Sequence, residues 1–301
     1  MTNKSLLKNV MKRLTGGVAV VFLAMGVLGA SQAVAGIAST KHNLGTTGTG
    51  SNHMAVGGGG TGEICVFCHT PHGADISAAV PLWNRVMAQA TTYTTYNSLG
   101  TSSLDGATAP VGSVSLACLS CHDGAQAMNV MINQPGSGGY NSAGAGMAGT
   151  WEGGRDKIAG ATNIAFIDTN LKNDHPIGIQ YCGGMDANAA FGLNDIASTS
   201  CRDKDFNTAQ YQGINGSPVW WVDSPGGTDN TRDKKDMMLY TRNTVTSVTL
   251  GGTDTTGGTT LTGPQAYVEC ASCHDPHVST TATFLRIDNS GSKVCLACHT
   301  K

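Results

Sequence analysis

A mostly irregular chain, with short helices and a few short strands around an interior that bound groups help to fill, is the fold the sequence predicts. Three observations lead there. Glycine supplies 41 of the 301 residues, aromatic residues make up 6% and charged residues 13%, so interlocking aliphatic and aromatic side chains are in short supply for a chain of this length. Low-complexity tracts interrupt the middle of the chain. One five-residue pattern, Cys-x-x-Cys-His, occurs four times.

The amino terminus reads as an export signal. Lys4, Lys8, Lys12 and Arg13 precede an apolar run from Val18 to Leu28, and Ala33-Val34-Ala35 follows, which is the order of charged region, apolar region and small-residue cleavage site. Cleavage is expected after Ala35. The apolar run is shorter than the roughly 20 residues that span a bilayer, and no cysteine stands near the cut to carry a lipid. Residues 36–301 are expected as one exported domain with no transmembrane segment, at the cell surface or in the periplasm. Loss of the signal removes four of the 18 basic residues and none of the 20 acidic ones, leaving a net charge of −6. That balance argues against nucleic acid as a partner, which needs a basic footprint.

Along the exported part, a Gly/Thr-rich opening stretch from Gly36 to Gly62 leads into two cysteine clusters that end by Asp123. An interval from about Gly124 to Val268 without clusters follows, then two more clusters. Within the interval, Gly136 to Gly149 and Gly251 to Gly263 read as surface loops. Pro81 to Met87 could open a short helix with Pro at its first position, and Thr244 to Leu250 has strand-like composition.

The four clusters are Cys65-Val66-Phe67-Cys68-His69, Cys118-Leu119-Ser120-Cys121-His122, Cys270-Ala271-Ser272-Cys273-His274 and Cys295-Leu296-Ala297-Cys298-His299. Each reads as a site of covalent haem c attachment. Two thiols three residues apart reach the two vinyl groups on one haem edge, and the adjacent imidazole turns to the iron as proximal ligand. A zinc site built from paired Cys-x-x-Cys units leaves the four histidines unexplained, and a dithiol redox motif fails on the same point.

Nine histidines are present, so His42, His53, His72, His175 and His277 remain once His69, His122, His274 and His299 are assigned. Four irons need four sixth ligands. Imidazole on both sides saturates each iron, which favours outer-sphere electron transfer and leaves no open position for a substrate. His72 and His277 each follow a proximal histidine by three residues. Imidazoles trans across one iron hold their Cα atoms roughly 12 to 13 Å apart, whereas three residues span at most about 11 Å, so each must reach a different haem and draw two haems together. His175 is expected as a ligand, with Asp174 beside it to orient the ring or to be solvated. His42 is favoured as the fourth and His53 is the spare. Methionine, 11 residues in all, is not needed.

Cys182 and Cys201 lie outside every motif and are expected to form a disulfide, closing a loop of about 20 residues that contributes roughly 3 kcal/mol. The Asp residues between Asp223 and Asp236 do not match the spacing of a calcium loop and are read as solvated. Trp220 and Trp221 are read as core or haem-packing residues.

These residues resemble the multihaem outer-surface c-type cytochromes of metal-reducing bacteria, and most closely their tetrahaem, filament-forming (cytochrome nanowire) members. The resemblance rests on Lys41-His42-Asn43-Leu44, Cys65 to Gly73, Cys118 to Asp123, Asp174 to Gly178, Cys270 to His277 and Cys295 to His299. It implies two imidazoles on each of four haems, little regular secondary structure and a continuous haem chain. It further implies a homopolymer in which a neighbouring copy supplies one sixth ligand, with His42 or His53 on a loose amino-terminal segment as the donor. Redox partner proteins or extracellular metal oxides would be its partners. The expected function is therefore electron transfer without catalysis. A soluble monomeric shuttle is the alternative, and a multihaem reductase, which needs one five-coordinate haem, is disfavoured because no Cys-x-x-Cys-Lys variant marks one.

Overall fold

In the computed structural model of the chain, the described residues are 36–77, 79–87, 93–101, 104, 106–136, 139–160, 162–185, 196–198, 201–215, 217–225, 231–242, 247–248, 261–262 and 265–300. They belong to one unit, Gly36–Lys301. The export signal expected over residues 1–35 lies outside the described residues. Among the described residues no helix is long and apolar enough to cross a membrane.

Three short α-helices carry attachment motifs: α1 (Ser113–His122), α2 (Cys270–Cys273) and α3 (Lys293–Cys298). The remaining motif lies on a 3-10 turn, Cys65–Phe67. Helix α1 stops at its motif because Gly124 takes a left-handed φ of 69°. A Cβ there would lie 2.5 Å from the Ile158 carbonyl and from the Phe166 ring, so only glycine closes the helix in this way.

The interval between the motif pairs builds most of the strands. A hairpin joins β1 (Val130–Asn133) to β2 (Tyr140–Gly146). Six further strands, β3 (Ile179–Gln180), β4 (Ile196–Ser198), β5 (Gln210–Ile214), β6 (Ser217–Val222), β7 (Met237–Thr241) and β10 (Ala266–Val268), form an antiparallel sheet in the order β3-β10-β7-β6-β5-β4. The pair β8 (Ser247–Val248) and β9 (Leu261–Thr262) stands separately. Strand β6 is the most committed by composition, Ser-Pro-Val-Trp-Trp-Val, rich in residues that suit a half-buried pleat. Its register against β5 follows from a two-residue connection after Ile214, opposite Ser217. Asn215 there has a φ of 51°, the left-handed geometry that a tight hairpin demands.

Aromatic residues, scarce in the chain as a whole, are concentrated on this sheet. Trp220, Tyr211, Tyr181, Met237 and Leu239 pack with the Cys182–Cys201 disulfide and with Ala297 of α3. Fully burying a tryptophan such as Trp220 contributes about 5 kcal/mol of transfer free energy. Partly buried Cys273 and Cys298 lie against this cluster. A second cluster of Leu44, Met54, Phe67, Met128, Met131 and Trp151 lies against Cys68 and Cys121. Each pair of motifs thus abuts its own apolar cluster.

Several expectations are corrected. The interval from Gly124 to Val268 also holds short strands that recruit one another across long sequence separations. Within Gly136 to Gly149, β2 pairs with β1 while remaining largely exposed. Pro81 to Met87 is not helical. Leu82 has a φ of 56° and Trp83 bridges to His69 and Asp75, since the segment crosses between the first two motifs. The opening stretch is not loose, because Asn43, Leu44 and Met54 are buried. Asp236 is not solvated: it is buried and accepts the Ser224 and Asp233 N–H groups. Of Thr244 to Leu250, Ser247–Val248 is strand, and the rest lies outside the described residues, as does most of Gly251 to Gly263.

Candidate haem sites

Each motif is wound into one helical turn. The N–H of His69, His274 and His299 donates to the carbonyl of the first cysteine of its own motif, at 2.8, 3.2 and 2.8 Å, so both thiols stand on one side of the turn. The chain then becomes extended at His274 and His299, with ψ of 138° and 143°, which carries each imidazole away from the helix. A reciprocal cap fixes α2, where the Glu269 side chain takes the Ser272 N–H and the Ser272 hydroxyl takes the Glu269 N–H.

None of the eight motif cysteines is paired in a disulfide, in contrast to Cys182 and Cys201, whose Cα atoms lie 5.5 Å apart. Burial pushes the thiols of Cys68 and Cys298 up to about 12 and that of Cys273 up to about 11. Cys118 lies beside Cys270, and this neighbour together with burial pushes the Cys118 thiol up. Thiols held neutral are poor ligands for a bare cation. Among the described residues, no group of three or more His, Cys, Asp and Glu converges to hold one.

The imidazoles are arranged differently. His69 faces His277 with ring centroids 6.2 Å apart and planes 15° from parallel, and His42 faces His122 at 6.2 Å with planes 79° apart. Two metal–nitrogen bonds of about 2 Å, with roughly 1.1 Å from each ring nitrogen to its centroid, add to about 6.2 Å. The separation matches what one iron would require between two imidazoles whose Nε2 atoms point at each other. The other ring nitrogen is engaged as well: Nδ1 of His69, His122 and His274 lies 2.9, 2.7 and 2.8 Å from the carbonyls of Pro81, Ala165 and Thr283. A carbonyl partner assigns the proton to Nδ1 and leaves the Nε2 lone pair for a metal. His42 is drawn down to about 4, first by burial and then by the neighbouring His122, and burial also lowers His122 and His175. All three are thus neutral, the ligating form, at neutral pH.

The sites follow one another in space as they do in sequence. Cys68 feels Cys121, Cys118 meets Cys270, and Cys273 feels Cys295 and neighbours Cys298. Aromatic rings brace the imidazoles: Trp83 meets His69 edge-on at 6.1 Å, Phe284 stacks on His42 at 4.2 Å and Phe206 lies 4.4 Å from His299.

Of the other candidate ligands, His175 lies within electrostatic reach of His299 and His274. Its Nδ1 bonds the Pro176 carbonyl, not Asp174, so the adjacent carboxylate does not orient the ring. His53 bonds the Met54 carbonyl, and His72 is exposed with its own carbonyl taken by Thr70 and Asn133. Among the described residues neither shows an imidazole partner. Sequence reasoning missed Asn84, Arg85, Phe284 and Glu269, all of which touch the sites. Only Glu269, immediately before Cys270, carried a positional hint.

Residues 263–301 match the family described as the doubled CXXCH motif. The match points to a multihaem c-type cytochrome with covalently bound haem c. No match is found among curated proteins. The matched segment carries the third and fourth motifs, and the first two repeat the same pattern.

Proposed function

We propose that the chain binds four haems c, each between two imidazoles, and serves as an electron conduit outside the cytoplasm, as a subunit of a polymer that delivers electrons to extracellular acceptors. The observation that carries this reading is the pair of facing imidazoles at 6.2 Å on two successive motifs. When bound, haem supplies reversible one-electron chemistry at its iron. The motif cysteines would attach it through thioethers, the Nδ1 bonds would aim Nε2 at the iron, the flanking aromatic rings would exclude water, and neighbouring motifs would keep successive sites close.

In this reading His277 serves the first site and His42 the second, while His175 serves the third or fourth. The remaining position falls to His72 or His53, of the same or of a neighbouring copy. His42 is then not the ligand lent to a neighbour, because it already faces His122. With every iron saturated the chain is not an enzyme, and the fold is organised around its haems together with the sheet.

The test is to recover the secreted protein from a host competent in cytochrome c maturation and to weigh it. Four added haems and a cut after Ala35 are expected. Low-temperature electron paramagnetic resonance should then show only low-spin ferric haem, with high-spin signal appearing in His42→Ala and His277→Ala. A mass without four haems, or a native high-spin signal that shifts with nitrite, defeats the proposal. Negative-stain microscopy separates filament from monomeric shuttle.

A further inference from the structure

We propose that Arg85 is a fixed electrostatic element that holds up the reduction potential of the haem carried on Cys65 and Cys68. This rests on the haem reading above. Arg85 lies between the first two motifs and is 0% exposed. Asn84 stitches the segment to the first motif, donating from its backbone to the Cys68 carbonyl at 2.9 Å and from its side chain to the Val66 carbonyl at 2.7 Å. Arg85 stitches it to the second. Its Nε donates to Ser120 Oγ at 3.2 Å and its Nη2 to the Ser120 carbonyl at 3.1 Å, both within Cys118 to Cys121.

The rest of the guanidinium is enclosed in the same way. Nη1 donates to the carbonyls of Met128 and Val130, at 2.8 and 3.1 Å, and Nη2 to Gln126 Oε1 at 2.7 Å and the Ala127 carbonyl at 3.0 Å. Every acceptor is neutral. Among the described residues no carboxylate lies within ion-pair distance of Arg85. Asp123, the buried acid next to His122, is held instead by the Tyr93 hydroxyl at 2.8 Å and the Ala125 N–H. The third site differs, since Arg242 meets Glu269 beside Cys270 at 2.9 Å. Hydrogen bonds have therefore satisfied the donors of Arg85 without cancelling its charge, and the residue before it is bonded directly to the Cys68 and Val66 carbonyls of the first motif.

Ferric iron that takes one electron from an external reductant becomes ferrous, with no bond made or broken and no proton required. The centre gains one negative charge, so a nearby cation favours the reduced state. Arg85 is fully buried, so bulk solvent screens its charge little.

Gln126→Glu tests this without dismantling the cage, because a carboxylate in the place of the amide keeps the bond to Nη2 and neutralises the guanidinium. Arg85→Lys keeps the charge and loses the fork, and Arg85→Gln removes the charge. Peptide mass spectrometry first establishes haem on Cys65 and Cys68, and dithionite titration in a spectroelectrochemical cell then reads the potentials of the full chain. Gln126→Glu and Arg85→Gln should shift one component to lower potential, and Arg85→Lys should leave it in place. If Arg85→Gln does not mature, the other two variants decide the matter. An unmoved curve in Gln126→Glu, or equal shifts in Arg85→Lys and Arg85→Gln, overturns the inference. A wild-type chain without haem on those cysteines removes the underlying reading instead.

Discussion

Replacing Asn84 by alanine should unfasten the first attachment site from the strand that supports it. The Asn84 Nδ2 group donates to the Val66 carbonyl at 2.7 Å and to the Asn133 carbonyl at 2.8 Å, and its Oδ1 accepts the Asn133 N–H at 2.8 Å. Alanine deletes all three bonds from a residue that is 0% exposed. At about 1 kcal/mol of net contribution each, the loss is about 3 kcal/mol. Val66 and Asn133 are half-buried, so water reaching their freed groups brings the lower bound to about 1.5 kcal/mol. Asn84→Asp preserves shape and the acceptor for the Asn133 N–H but turns an oxygen toward two carbonyls, so it should cost at least as much as alanine. Guanidinium denaturation followed by circular dichroism measures both. A loss under about 0.5 kcal/mol in Asn84→Ala, or an Asn84→Asp protein as stable as the wild type, would refute the reasoning.

Three further outcomes follow from the packing. Burial, partly offset by Arg242 and Ser115, holds Glu269 up at about 7 against an ordinary 4.5. The folded chain thus keeps a proton that the unfolded chain has released between those values, and stability contributed below pH 4.5 is lost as pH rises through 7, by about 3 kcal/mol. Glu269→Gln should flatten that slope relative to the wild type in denaturation at pH 5 and pH 8; parallel slopes would count against it. Cys182→Ser with Cys201→Ser should lower stability by about 3 kcal/mol, the loop-closure value for 19 residues of separation, and dithiothreitol should have no effect on the variant. If His122 and His42 hold a haem as proposed, Phe284→Leu should alter its low-spin resonance while leaving haem content unchanged, because the lost contact is a ring stacked at 4.2 Å with planes 11° apart.

The attachment motifs were legible because their chemistry is local: Cys, Cys and His within five residues specify a turn and a ligand together. Chain length separates His277 from the site of its own motif, and in the structure its ring lies 6.2 Å from that of His69. The disulfide followed from two cysteines left over. The sheet was not legible, because β3 is two residues long and its partner β10 lies some 88 positions away, so no alternating pattern could build up in either. Trp83-Asn84-Arg85 was misread for the opposite reason. Its local composition allows a helix, but its hydrogen bonds run to Cys68, Ser120 and Asn133, partners that no window around it contains. Leu44 and Met54 were likewise hidden among glycines and threonines, although they pack against Phe67 and Trp151.

The two facing ring pairs also differ in when they can form. His42 already exists when His122 is made, so that pair can close as the chain lengthens. His69 waits for a ring 208 positions downstream, at His277, and at about 5–20 residues per second the ribosome needs about 10 to 40 seconds to produce it. The ring opposite the earliest cysteine pair is therefore supplied only after three of the four motifs have been made.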